Sequence, residues 1–333
     1  MIPLVSPLTV AVAVFLLGAL LPFAARPVLQ KLGIVDVPVE RSSHSVPVLR
    51  GLGLATLGAM LIAWAVTLSA SAGVPMWVIA VAGLASGLLG IAEDLRGVSV
   101  PVRSALQLLI AIGASVALVV DAKQPLLLVV YAVLFISSFI NVANFMDGLN
   151  GISGFHAVIA GATFAIAGAA AELSWLVYAG VILAAAFAGF LIWNLSGRGF
   201  LGDVGSYLLG GVVATTSFAA FVNGVPMLAT IGPMIIYFGD VGWTLVKRVR
   251  RGDKWSDPHK EHVYQQLQQK GLVHVGASAI TAGFTLVASG LGLLAFVVAP
   301  VWQLGLLLAG LLLVVVYRRL PRLIRDRNRE NTA

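Results

Sequence analysis

The chain has 333 residues, 59% of them hydrophobic and 11% charged, with a mean hydropathy of +0.98. Apolar runs at that density exclude a soluble globular domain and imply an all-α integral membrane protein. The lack of cysteine excludes disulfides, thiolate-held zinc and thiol catalysis, and the formal net charge of +7 calls for no nucleic acid if the basic residues serve to orient the chain.

At about 20 apolar residues per crossing, eleven spans are predicted near 4–24, 51–70, 74–92, 103–121, 125–143, 152–171, 174–194, 204–222, 226–246, 275–299 and 301–317. The first lacks the basic leader of a signal peptide and more spans follow, so it reads as a retained helix. An odd count puts the two ends of the chain on opposite sides. With the N-terminus outside and the C-terminus cytoplasmic, every lysine and arginine except Lys123 falls on the cytoplasmic side, as the positive-inside rule requires. Residues 1–317 then form one polytopic domain. Residues 318–333, opening RRLPRLIRDRNRE, form a basic tail that attracts anionic headgroups.

The external loops are short, and the unusual residues sit on the cytoplasmic ones, so function is expected there. The first cytoplasmic loop, DVPVERSSHSVPVLRGLG from Asp36 to Gly53, either binds an anion such as a diphosphate or only sets topology. Glu93 and Asp94 adjoin at the end of the third span. Neighbouring carboxylates repel, so the pair either has a task or is a hydrated helix end partnered by Arg96. A carboxylate at a helix C-terminus also opposes the macrodipole. In NVANFMDGLNG, residues 141–151, the oxygen donors Asn141, Asn144, Asp147 and Asn150 suit a hard cation such as Mg²⁺; the competing reading is helix-end capping. If the helix continues, Asn144 and Asp147 share a face. In FLGDVGS, residues 200–206, Asp203 is either a helix cap or a metal ligand, with glycines that admit a phosphate to the backbone. His259 and His262 lie three apart in the largest loop, beside Lys260. Anion recognition is preferred there to zinc, for which no third ligand accompanies the pair. His156 and His274 read as structural, and Asp240 either supports the site or simply pairs. The stripe GLASGLLG, residues 83–90, is suited to packing helices within one chain or between two copies in a homodimer.

In their order and shared face, RSSHxxPxxRGxG, the acidic pair, NxxNFMDGxNG, FLGDxGS and HxxHxYQ resemble the polyprenyl-phosphate N-acetylhexosamine-1-phosphate transferases. The resemblance runs from about Asp36 to Leu267. It implies a multi-pass enzyme of the bacterial cytoplasmic membrane, working in the bilayer on a UDP-amino sugar and polyprenyl (undecaprenyl) phosphate. It implies Asn144 and Asp203 as ligands of Mg²⁺, with Mn²⁺ an acceptable substitute. Catalytic surroundings would come from Glu93, Asp94 and Asp147. Substrate contacts would come from Arg41, Ser43, His44, Arg50, Asn141, Asn150, His259, Lys260 and His262. Two departures stand out: Glu93 replaces the usual aspartate, and the last loop lacks the three-histidine run of the muramyl-pentapeptide enzymes. That loop is closer to the branch initiating O-antigen and other lipopolysaccharide or surface glycans. The reading from another class is a transporter of an anionic substrate, whose broken helices and charges would lie near the bilayer midplane.

Overall fold

The computed structural model describes residues 5–36, 48–68, 73–254 and 259–324. The chain enters through α1 (Pro7–Lys31), whose Ser6 hydroxyl caps the Thr9 amide at 3.1 Å. It then makes a two-residue antiparallel ladder, β1 (Val35–Asp36) with β2 (Val48–Leu49), pairing Val35 with Leu49 and Asp36 with Val48. From there the protein is helical: α2 (Gly53–Leu68), α3 (Val74–Arg96), α4 (Val100–Asp121), α5 (Leu127–Phe145), α6 (Ile152–Ala170), α7 (Ser174–Leu195) and α8 (Gly202–Val222). Short α9 (Met227–Ile231) turns through Gly232–Met234 into α10 (Ile235–Arg251), and α11 (Val263–Gln269), α12 (His274–Leu293) and α13 (Pro300–Leu323) complete the order.

Among the described residues ten helical segments are long and apolar enough to cross a membrane, α9 and α10 counting as one. The remaining predicted span is α2, an apolar helix of 16 residues. Each predicted span therefore has its helix, and among the described residues the ladder is the one departure from an all-helical pattern. The last span runs past its predicted end, since α13 continues to Leu323 through the first residues of the basic tail.

Burial follows from the solvent. Helix α8 is buried along almost its whole length, whereas α1 and α13 present Leu8, Leu20, Phe23, Leu304, Leu308 and Leu312 outward, as helices bordering lipid do. Successive helices alternate in direction. Gln124 near the end of α4 donates to Val222 O at the end of α8, while Asn144 near the end of α5 meets Asp203 at the start of α8. The motif residues therefore gather at one end of the bundle. Val5 lies at the other, where its carbonyl accepts from Tyr178 near the start of α7.

The small-residue stripe is spent inside the chain. A side chain at Gly83 would strike Val212 and Trp64, and one at Gly87 would touch Leu57. At Gly90, a Cβ would collide with the Asp203 carbonyl oxygen and the Val204 Cα, so α3 and α8 touch backbone to backbone beside the motifs. Gly90→Val is expected to lower stability by about 2–3 kcal/mol through over-packing, whereas Gly113→Ala, where an added Cβ meets nothing within 4 Å, should change it by less than about 1 kcal/mol. Thermal unfolding of the detergent-purified variants checks this; equal midpoints would deny the close crossing.

Candidate active site

The site is assembled on the N-terminus of α8. The first amides of a helix have no partner within it, and here Asp94 at the end of α3 accepts from Asp203 N at 3.1 Å and Val204 N at 2.9 Å. The carboxylate that opposes the dipole of its own helix thus sits on the favourable end of another. Asp94, and not Asp203, is the cap, and the Asp203 side chain is left free to face the site. Gly202 has φ +75°, and a Cβ there would lie 2.8 Å from Asp94 Oδ2 and from Gly51 Cα, so only glycine admits this approach.

Arg50 reaches the same point by backbone stitching. Phe200 N donates to Leu49 O at 2.8 Å, Leu52 N to Phe200 O at 3.0 Å and Gly53 N to Leu201 O at 2.8 Å. Its Nε lies 3.0 Å from Asp94 Oδ1, and its Nη2 donates to Asp203 Oδ2 at 2.5 Å. From α5, Asn144 Nδ2 donates to Asp203 Oδ1 at 2.6 Å and to Ser206 Oγ at 3.0 Å. Four motifs distant in sequence therefore meet on one pair of carboxylates.

Asp147 lies just beyond α5, which ends at Phe145, so it does not continue the Asn144 face. Its backbone NH donates to Asn144 O, and its carboxylate accepts from Ser153 Oγ at 2.6 Å. Burial pushes its pKa up to about 7, with Asp203 and Asp94 adding repulsion.

The acidic pair divides its work. Glu93 accepts from Val98 N at 2.8 Å and from Arg103 Nη1 at 3.2 Å. Its partner is Arg103 and that of Asp94 is Arg50, in place of the Arg96 expected from sequence. Asn141 turns away from Asp203, donating to Gln107 Oε1 at 2.6 Å in the α4–α5 seam. Asn150 lends its carbonyl to Ser278 Oγ at 2.8 Å. Arg41, Ser43 and His44 lie outside the described residues.

The histidine loop is anchored by a second buried carboxylate. Asp240 in α10 accepts from Val263 N at 2.9 Å and faces His262 Nδ1 at 3.2 Å, which assigns the Nδ1 proton to the histidine. His262 is 2% exposed and bonded into the start of α11, so it positions the loop. His259 stands beside it, ring centroids 4.9 Å apart. Burial and the neighbouring His262 and Arg248 take its pKa down to about 4. Tyr264 ties the loop to the site, donating to Phe145 O at 3.0 Å. Glu261 binds Arg251 at 2.6 Å and Lys247 and Arg248 at 3.2 Å; Arg251 first, and then Lys247, hold its pKa down to about 2. The carbonyl of Lys260 accepts from Gln269 Nε2 at 3.1 Å. His156 is buried against Tyr237, ring centroids 4.0 Å apart.

Sequence reasoning passed over Asn194. It accepts from Gly151 N at 2.6 Å and donates to Gly199 O at 3.1 Å, clamping the loop after Asp147 to the loop before Asp203. The signal was an amide in the otherwise apolar run FLIW at the end of α7. Arg103 and Gln107 were passed over as well, being one helical turn apart on α4.

The donor set fits a hard cation that keeps water. Asp94, Asp147 and Asp203 crowd together with Arg50 as the basic group acting on all of them, which leaves negative charge for a cation to offset. Among the described residues no group of three or more His, Cys, Asp or Glu side chains is placed to hold a metal ion. An ion held by one carboxylate and one amide, with its other positions open to water and phosphate oxygens, is the habit of Mg²⁺.

Residues 76–221, which carry Glu93, Asp94, Asn144, Asp147 and Asp203, match the model of glycosyl transferase family 4. Over this stretch the chain is similar to glycosyl transferase family 4. Among curated relatives, a Bacillus subtilis protein named "Probable undecaprenyl-phosphate N-acetylglucosaminyl 1-phosphate transferase" is 27% identical over 259 residues, 73% of this chain and 72% of its own length. The decaprenyl-phosphate N-acetylglucosaminephosphotransferase of Mycobacterium tuberculosis is 28% identical over 301 residues, 76% of this chain and 74% of its own. A phospho-N-acetylmuramoyl-pentapeptide-transferase of Staphylococcus carnosus is 37% identical over 90 residues, 27% of this chain and 28% of its own.

Asp147 gives a test of site electrostatics that needs no substrate. With a folded pKa of about 7 against an ordinary 3.8, its ionisation opposes folding increasingly as pH rises from 3.8 to 7, and by a constant amount above. Asp147→Asn should therefore raise the unfolding midpoint more at pH 8 than at pH 5. An equal shift at both would place the carboxylate in a water-like setting.

Proposed function

We propose that this protein transfers a sugar-1-phosphate from a UDP-linked N-acetylamino sugar to polyprenyl phosphate, in the first step of a cell-surface glycan. The observation that carries the reading is the convergence of Arg50, Asn144, Asp147 and Asp203 at one end of an apolar bundle. A lipid-tailed acceptor in the bilayer and a soluble donor at the surface can meet only at such a place. The names of the relatives support the same acceptor and an N-acetylamino sugar. The distribution of lysine and arginine supports a cytoplasmic site.

In the reaction an oxygen of the acceptor phosphate attacks the sugar-bearing phosphorus of the donor. The bond from that phosphorus to the UMP oxygen breaks, giving polyprenyl-diphosphate-sugar and UMP. The second pKa of a phosphate monoester is about 6, so the attacking oxygen is already ionised near neutral pH and no side chain has to take its proton. Asp94 is a positioning residue, with its oxygens engaged by two amides and Arg50. Asn144 and Asp203 would hold Mg²⁺, which when bound offsets the charge of the diphosphate and of the leaving UMP. Arg50 supplies fixed positive charge at the same point. The loop carrying His259 and Lys260, braced by Asp240, faces the donor. Glu93 keeps Arg103 in place.

Purified protein in native-like lipid, given undecaprenyl phosphate, Mg²⁺ and a panel of UDP-amino sugars, should release UMP only when lipid and metal are both present. Asn144→Ala and Asp203→Ala should each lower kcat by at least about 10²-fold. Normal Mg²⁺-dependent turnover in both variants would remove the metal assignment, and lipid-independent UMP release would remove the acceptor.

A further inference from the structure

A cavity lies behind the Asp240 anchor, away from Asp94 and Asp203, between the ends of α10, α11 and α13. Its volume is about 450 Å³, and Trp243, Lys247, Glu261, Arg318, Arg319 and Arg322 are among its walls. Four basic groups face it with two carboxylates, and both carboxylates are already engaged. Asp240 takes its hydrogen bonds from Val263 N, His262 and Thr244, and Glu261 is shared by Lys247, Arg248 and Arg251. Among the described residues Arg318, Arg319 and Arg322 form no ion pair with a carboxylate.

Arg318 is prepared for an anion. Its guanidinium lies 3.6 Å from the ring centroid of Trp243, which fixes the plane of the fork, and its Nε is buried without a hydrogen-bond partner. Arg322 follows one helical turn later on the same face of α13. The apolar part of the lining, Trp243 and Val315, faces outward beside these arginines. Trp243 is 45% exposed and Val315 44%, and they continue into the outward leucines of α13, Leu308, Leu311 and Leu312. A basic rim beside an outward-facing apolar wall matches a ligand that is anionic at one end and hydrocarbon at the other. Free phosphate would use the rim alone.

We propose that this cavity binds the phosphate headgroup of an anionic phospholipid, with an acyl chain along Trp243 and Val315. Val263 and Gln266 of α11 also line it, so an occupant braces the short helix that follows His259 and His262. The proposal depends on the membrane fold and not on the transfer reaction.

The test uses the intact chain in detergent. Native mass spectrometry counts phosphatidylglycerol against phosphatidylcholine, and thermal unfolding is followed with each lipid and with inorganic phosphate. Wild type should retain and be stabilised by phosphatidylglycerol, and respond neither to phosphatidylcholine nor to millimolar phosphate. Arg318→Ala with Arg322→Ala should weaken phosphatidylglycerol binding roughly 30-fold, with helicity unchanged by circular dichroism. If that pair does not fold, Arg318→Lys with Arg322→Lys, which keeps the charge and loses the fork, should show a smaller drop in the same direction. Wild-type affinity in a folded variant overturns the site. Stabilisation by inorganic phosphate equal to that by phosphatidylglycerol overturns the lipid as its ligand.

Discussion

The site depends on one contact, the Asp94 carboxylate set on the first amides of α8. A helix end inside an apolar bundle cannot leave its amides unpaired, and a carboxylate there cannot stay unbalanced. Each answers the other's need, and Arg50 completes the balance. Once this contact forms, the position of Asp203 is set, because it supplies one of the two amides. Asn144 then follows Asp203. The glycines at 90 and 202 are consequences, since the contact needs α3 and α8 to approach at backbone distance.

The molecule uses the same device again. Asp240 sits on the start of α11 as Asp94 sits on the start of α8, and each fixes a segment that carries candidate site residues. Buried carboxylates held by amides and a basic partner are expensive to leave half-satisfied, so both segments are held in one geometry. The two anchors differ in surroundings. That of Asp94 opens onto a crowd of carboxylates short of positive charge, whereas that of Asp240 is bordered by arginines and Lys247 with charge to spare. The first suits a cation with phosphates, the second an anion. Tyr264 links them by reaching from α11 to Phe145.

Much of this was legible in the sequence because lipid imposes simple rules. Every predicted span has its helix, since a crossing must be a long apolar run, and the helix α2 shows where that rule is weakest. Asn144, Asp147 and Asp203 could be singled out because polar groups at the edge of apolar runs need a reason. Their partners could not. Asp94 and Val204 are 110 positions apart, and Arg50 and Asp203 are 153. Nearness in sequence suggested Arg96 for the acidic pair, while packing supplied Arg50 and Arg103. Asn194 was missed because a single amide in an apolar helix end carries no pattern. His262 could be singled out in the sequence, but its contact with Asp240, 22 positions earlier, could not.

The most direct test of the positioning role of Asp94 is the pH dependence of UMP release by Asp94→Asn. If the carboxylate only holds α8 and Arg50, kcat falls while both limbs of the profile keep their places. Loss of the limb that reports a base in the wild type would show that Asp94 takes a proton, and would contradict the account.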